Sequence, residues 1–339
     1  MGDCEGNKVV ILVCFGTRPE FIKIKPLIKE FEGKIPYKLL FTGQHVDLLA
    51  GIDESIERLV ISDEGENRLD SIVASIMSTV HVFDGARAVL VQGDTTSVMA
   101  MALAAFHRRI PVIHLEAGLR TYDKNNPYPE EINRQIVSRI ADIHLCPTEG
   151  SKENLVREGV GGKIYVVGNT VLDNLVEITP QYTNKVIVTL HRRENHHQIK
   201  DWFMAVDELA RENTELEFIL PIHPNPNVIK HKDVLKHVRV VEPMEYNEFI
   251  QALAESRLVI TDSGGLQEET SFLKKKCLVC RKTTERPEGL GVFSFLVPEP
   301  NLLKDAFQSV NNDYYVNEQS PYGDGSAARR ILEIVKNEI

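Results

Sequence analysis

Short apolar runs, each followed by a longer stretch of helical spacing, recur along this chain, and that alternation leaves few folds open to it. The runs Val9 to Phe15, Tyr37 to Phe41, Ala88 to Val91, Val112 to Leu115, Ile143 to Cys146 and Tyr165 to Val167 are almost continuously apolar. Strands covered by helices on both faces read this way, so a parallel sheet is expected. The same grammar restarts after Gly168, with strands predicted at Lys185 to Leu190, Glu217 to Ile222, Val238 to Val241, Leu258 to Thr261 and Lys276 to Cys280. At 339 residues the chain is longer than one core serves efficiently. The expected fold is therefore α/β, with two Rossmann-like domains facing a cleft. We place the first over 1–168 and the second over 169–320, the polar stretch Thr179 to Asn184 being another place to divide them. The tail 321–339 opens with turn residues and then reads as a helix.

Charge and composition narrow the function. A formal net charge of −10 argues against a duplex nucleic acid partner, which usually asks for a basic face. An anionic small ligand stays open, because helix N-termini and local basic groups hold phosphate against an acidic average. No apolar run approaches the roughly 18 residues of a membrane span, and no charged-then-apolar leader opens the sequence, so a soluble cytoplasmic protein is expected. Five scattered cysteines (Cys4, Cys14, Cys146, Cys277 and Cys280) fit a reducing compartment.

Open α/β sheets bind ligands at the carboxyl ends of their strands, and four places there carry suggestive residues. In Gly16-Thr17-Arg18-Pro19-Glu20, Gly16 permits a tight turn, Pro19 suits a first helical turn, and Arg18 with Lys23 complements phosphate. A surface-charged strand-to-helix turn is the other reading, and the absence of GxGxxG disfavours a dinucleotide. In Gln92-Gly93-Asp94-Thr95-Thr96-Ser97, Asp94 stands at a strand end and also where a helix N-cap belongs. Glu116, at the end of the next predicted strand, has no capping duty. Adjacent parallel strands would bring Asp94 and Glu116 to one rim, where acid/base work is plausible. Pro129-Glu130-Glu131 offers a third carboxylate at a helix start, a position glutamates favour in any case.

In the second half, His223 ends a predicted strand between prolines, as a phosphate donor or a core-edge histidine. Thr261-Asp262-Ser263-Gly264-Gly265 leads from a strand into a helix, and its backbone N–H groups form an expected anion cradle. Glu269, one turn into that helix, is placed to reach a ribose diol. Cys277-x-x-Cys280 has no second pair and lies in a strand pattern, so no zinc site is read from it. His191, His196 and His197 lack metal-ligand spacing and read as a solvated loop.

Taken together, GTRPE with Lys23, QGDTTS, HLEAGLRT, PEEINR, HRREN, HPNPN, TDSGGLQEE and TTERPE resemble, in order and over nearly the whole chain, the non-hydrolysing UDP-N-acetylglucosamine 2-epimerase family. The resemblance implies a two-domain glycosyltransferase-B-like fold whose last helix crosses back to the first domain. It implies interconversion of UDP-GlcNAc and UDP-ManNAc by a homodimer, without NAD or metal. Carried over by motif, Arg18, Lys23, His223, Ser263, Gly264, Gly265 and Glu269 would hold UDP, with Met244 and Phe249 near the uracil and Arg286 near the phosphates. Asp94, Glu116 and Glu130 would be the catalytic carboxylates at the sugar. Gln44, His45, His191 and Arg192 fall where bacterial relatives hold an activating second UDP-GlcNAc. The chain departs from the pattern at Asp47, at His196-His197-Gln198, at Met244 and in the loop after Arg286. These departures bear on activation and on nucleotide preference. A hydrolysing epimerase, a glycosyltransferase of the same fold and a UDP-sugar sensor would share many of these motifs.

Overall fold

A computed structural model describes residues 10–44, 56–62 and 67–339, and the chain divides into two compact units. Unit 1 holds the described residues up to Asn174 together with Gly325–Ile339, and unit 2 is Leu175–Asp324.

Unit 1 is built on β1 (Val10–Phe15), β2 (Tyr37–Phe41), β3 (Glu57–Arg58), β4 (Ala86–Gln92), β5 (Val112–Leu115), β6 (Ile143–Cys146) and β7 (Lys163–Val166). They form one sheet in the order β3-β2-β1-β4-β5-β6-β7, every pair parallel. Its helices are α1 (Arg18–Phe31), α2 (Arg68–Ser78), α3 (Thr96–His107), α4 (Glu130–Ile140) and α5 (Glu149–Arg157). Unit 2 carries β8 (Lys185–Thr189), β9 (Glu217–Pro221), β10 (Arg239–Val241), β11 (Leu258–Thr261), β12 (Lys276–Val279) and β13 (Ser294–Leu296), parallel in the order β10-β9-β8-β11-β12-β13. Around them lie α6 (Ile199–Glu212), α7 (Pro226–Ile229), α8 (Tyr246–Ala254), α9 (Leu266–Phe272) and α10 (Leu303–Asn312). The predicted class, two Rossmann-like parallel-sheet domains, is the observed one. Both Cys277 and Cys280 are buried free thiols. No helix among the described residues is long and apolar enough to cross a membrane.

The final helix, α11 (Ala327–Glu338), belongs to unit 1. Its buried Ala328, Ile331, Leu332 and Val335 follow the i, i+3, i+4, i+7 spacing of an apolar stripe and join the core of Ile11, Ile24 and Leu27. Burial of each large aliphatic side chain stabilises by roughly 1.5–3 kcal/mol. The Asp173 carboxylate accepts from the N–H groups of Ala327 (3.1 Å) and Ala328 (2.7 Å), satisfying donors that a helix start otherwise leaves open.

Candidate functional site

Pairing of β1 with β4 and of β4 with β5 brings three strand ends to one rim of unit 1. Glu116 follows β5 with φ +67°, a left-handed conformation costing a non-glycine residue on the order of 1–3 kcal/mol unless its surroundings impose it. They do so through its buried carboxylate, which accepts from Lys23 Nζ at 2.6 Å on both oxygens, from the Gln92 amide and from Asn169 Nδ2 at 3.2 Å. Lys23, read from the sequence as a nucleotide ligand, is thus a carboxylate partner here.

Asp94 is half-buried between β4 and α3. The capping role weighed for it belongs to its neighbour, because Thr95 has the extended backbone of an N-cap and its hydroxyl accepts from Val98 N. The Asp94 carboxylate instead accepts from Arg134 Nη2, and its carbonyl accepts from Asn133 Nδ2 at 2.9 Å. Both partners lie on the buried face of α4, the helix that Glu130 begins. The adjacent Glu131 is fully buried and does different work. It accepts from the N–H groups of Thr121 (3.0 Å) and Tyr122 (3.1 Å), from Gln135 Nε2 at 2.8 Å and from Arg134 Nη1 at 3.2 Å, pinning the turn before α4.

At the β1–α1 turn, Arg18 is exposed and Gly16 is hemmed in: a Cβ there would lie 2.3 Å from Thr42 Oγ1 and 2.5 Å from Ser97 Oγ. Glu20 closes a capping box with Thr17 and accepts from Gly16 N, Thr17 N and Thr95 Oγ1. Its pKa rises to about 7, because burial outweighs those donors. Gln44 accepts from Ser97 N at 3.0 Å, at the start of α3. His45 and Asp47 lie outside the described residues.

In unit 2, His223 is exposed after β9 and stacks on His191, with ring centroids 5.0 Å apart and 15° between planes. Desolvation lowers the pKa of both rings. Because Asn225 N donates to His223 Nδ1 at 3.2 Å, the neutral ring carries its proton on Nε2, a donor suited to an anion. The loop bearing His191 and Arg192 is tied to the buried Asp262 carboxylate, which accepts from both backbone N–H groups and from Asn195 Nδ2 at 3.1 Å. The expected three-donor cradle is altered at its first member, since Ser263 N donates to Thr261 Oγ1 at 2.9 Å. Gly265 is the N-cap of α9, and the buried Glu269 accepts from Tyr246 OH at 3.1 Å. Burial, with Glu269 beside it, pushes the Tyr246 phenol well above its ordinary range. Met244, before α8, and Phe249, within it, are half-buried. Arg286 is buried between carboxylates, with Nε donating to Glu268 Oε1 at 2.5 Å and Nη1 to Glu285.

A family model described as UDP-N-acetylglucosamine 2-epimerase matches residues 29–336. The chain belongs to the UDP-N-acetylglucosamine 2-epimerase family. A relative of that name from Neisseria meningitidis serogroup A is 38% identical over 96% of this chain and 99% of its own. Among solved structures, a UDP-GlcNAc 2-epimerase from Neisseria meningitidis bound to UDP-GlcNAc superposes with a TM-score of 0.89 at 36% identity, covering 97% of this chain and 100% of that one. One from Methanocaldococcus jannaschii, in complex with UDP-GlcNAc and UDP, gives 0.81 at 31% identity with coverage of 97% and 100%. The fold is thus the glycosyltransferase-B-like one of these epimerases.

Within this epimerase-family frame, Arg18, Lys23, Asp94, Glu116 and Glu130 lie in unit 1, and His223, Met244, Phe249, Ser263 to Gly265, Glu269 and Arg286 in unit 2. Motif reading passed over the partners that hold them: Arg134 and Glu131 stood inside PEEINR, and Glu285 directly precedes Arg286 in TTERPE. No local pattern marks them, because both segments are polar and charge is ordinary there.

Proposed function

We propose that this protein interconverts UDP-GlcNAc and UDP-ManNAc without net hydrolysis. C2 of the sugar carries no acidifying carbonyl, so direct removal and return of its proton faces a high barrier. In the proposed route a carboxylate takes the C2 proton while the C1–O bond breaks, UDP carries away the bonding pair, and a C1=C2 double bond forms as 2-acetamidoglucal. Re-addition of UDP to C1, with protonation of C2 on the opposite face, gives the epimer. Two faces call for two proton-transfer groups, and Asp94 and Glu130 are assigned to them, with Glu116 as their orienting partner. No hydride is exchanged, so the scheme calls for no nicotinamide.

The observation that carries this reading is the placement of Asp94 and Glu116 at the ends of neighbouring strands, each held by a cation. Arg18, His223, Gly264, Gly265, Glu269 and Arg286, with Met244 and Phe249 at the base, are assigned to UDP, whose departure calls for positive charge and N–H donors. The related epimerases bound to UDP-GlcNAc, and to UDP-GlcNAc and UDP, support that ligand. The protein is further proposed to work as a cytoplasmic homodimer. Proton NMR of the purified protein with UDP-GlcNAc in D2O tests the scheme. Appearance of UDP-ManNAc with deuterium at C2 and no steady release of free sugar is expected. Free ManNAc with UDP would make the enzyme a hydrolysing one, and consumption only with an acceptor sugar would make it a transferase.

A further inference from the structure

Five buried or half-buried ionic side chains form a continuous chain in unit 2, in which Arg281 links Glu194 of HRREN to Glu285 and Arg286 of TTERPE and so to Glu268 of TDSGGLQEE. Arg281, directly after Cys280 at the end of β12, is 5% exposed. Its Nε pairs with Glu194 Oε1 at 2.6 Å, and its Nη1 donates to Glu285 Oε2 at 3.0 Å. The other oxygen of Glu285 accepts from Arg286 Nη1, and Arg286 Nε donates to Glu268 on α9 at 2.5 Å. The chain presses on the Gly264 turn: a Cβ there would lie 2.3 Å from Glu285 Oε1, 2.9 Å from Arg286 Nη1 and 3.3 Å from Arg281 Nη1. A side chain at this point would have to displace these ionic groups.

A buried ion network is weak evidence for stability, since apolar residues of the same volume often stabilise as well or better. What the network does supply is geometry. Glu285 bridges two guanidinium groups with one oxygen each, so the orientation of Arg286 depends on where Arg281 holds Glu285. Tyr322 fixes the backbone at the same place, its hydroxyl donating to Arg286 O and accepting from Gly289 N, both at 3.0 Å. With the main chain pinned and the side chain gripped at Nε and Nη1, the Arg286 head has one orientation against the Gly264 turn.

We infer that Arg281 is a positioning residue for Arg286, acting through the Glu285 carboxylate. The inference rests on the assignment of Arg286 to the ligand diphosphate made above. It is separable from that assignment, because each arginine is tested against two ligands that differ only in the diphosphate.

The test measures the Kd of UDP by calorimetry and of uridine by NMR titration, for the wild type, Arg286→Met, Arg281→Met, Arg281→Lys, Glu285→Gln and the Arg281→Met/Arg286→Met double variant. Loss of a charge-assisted contact corresponds to about 10- to 100-fold in Kd. Arg286→Met is expected to weaken UDP by that factor and to leave uridine unchanged. Arg281→Met and Glu285→Gln should weaken UDP by about tenfold or more, again with uridine unchanged, and Arg281→Lys should recover part of the loss. If Arg281 acts through Arg286, the double variant binds UDP no more weakly than Arg286→Met alone, within about twofold. Should Arg281→Met fail to fold, Arg281→Lys and Glu285→Gln carry the same comparison. Equal loss of UDP and uridine affinity, or losses that multiply in the double variant, would reduce Arg281 to a structural residue. A weakened Arg286→Met beside unaffected Arg281 and Glu285 variants overturns the inference alone. An Arg286→Met variant with wild-type UDP affinity removes Arg286 from the ligand and overturns both.

Discussion

The two units hold their candidate site residues by the same device with opposite sign. In unit 1 the groups assigned to chemistry are carboxylates, and two of the three are gripped by a cation, Asp94 by Arg134 and Glu116 by Lys23. In unit 2 the assigned group is a cation gripped by carboxylates, Arg286 by Glu268 and Glu285. The grips also differ in origin. Arg134 reaches Asp94 from a helix that begins with Glu130, so one rigid element sets two of the three carboxylates. Arg286 is held by its own loop and by α9, the helix that follows the Gly264 turn. A single charged side chain on a rim samples many rotamers, whereas a buried opposite charge selects one. Turnover should accordingly be sensitive to unit 1 partners and nucleotide affinity to unit 2 partners.

Four substitutions press on that division. The largest effect is expected from Asp94→Asn, which keeps the shape of the side chain and removes its basicity. Turnover should fall at least on the order of 10³-fold with UDP affinity kept, and retained turnover would take Asp94 out of the mechanism. Arg134→Met should lower kcat by about 10- to 100-fold while the UDP Kd stays within about twofold; a variant that instead loses nucleotide affinity breaks the division of labour. On the other side, Gly264→Ala places a methyl group 2.3 Å from Glu285 Oε1. Overpacking of about 1–3 kcal/mol should appear as weaker UDP binding, with the rate on saturating substrate less affected than in Arg134→Met.

The smallest effect on turnover and affinity is expected at Glu20, a buried carboxylate of unit 1 held by N–H and O–H donors rather than by a cation, where the readout is stability. Its folded pKa of about 7 lies above the ordinary 4.5, so the proton is bound more tightly in the folded state. The stabilisation this confers is complete below about pH 4.5 and is lost as pH rises through about 7. Glu20→Gln, which cannot ionise, should therefore gain on the wild type between pH 5 and pH 8, by up to about 3 kcal/mol. Unfolding midpoints at the two pH values measure it, and a difference independent of pH would assign Glu20 an ordinary carboxylate behaviour.

Much of the framework was legible because buried parallel strands are written as continuous apolar runs. Leu258 to Thr261, Val112 to Leu115 and Ile143 to Cys146 have the bounds read from the sequence. The edge strands β3 and β13 were not read, β3 because it is two charged residues long and β13 because it is only three residues in an apolar stretch, Val292 to Val297, that directly follows a loop rich in glycine and proline. The site was legible only as residue types at strand ends. Asp94 and Thr95 are both acceptable caps by propensity, and only the backbone geometry shows that Thr95 takes the role. That Lys23 faces Glu116, ninety-three positions away, depends on the crossing of β1 beside β4, which no local pattern encodes. Buried ion pairs such as Arg281 with Glu285 are likewise invisible until the chain is folded.

The return of α11 to unit 1 has a consequence for how the molecule is made. Synthesis proceeds from the N-terminus, so the whole of unit 2 emerges from the ribosome while unit 1 still lacks Ile331, Leu332 and Val335 from its core and the helix start that Asp173 caps. Unit 2 can close as soon as its own strands are out; unit 1 must wait through those 150 residues (175–324) with one apolar face uncovered. Unit 1, the first to emerge, is therefore the last to be completed.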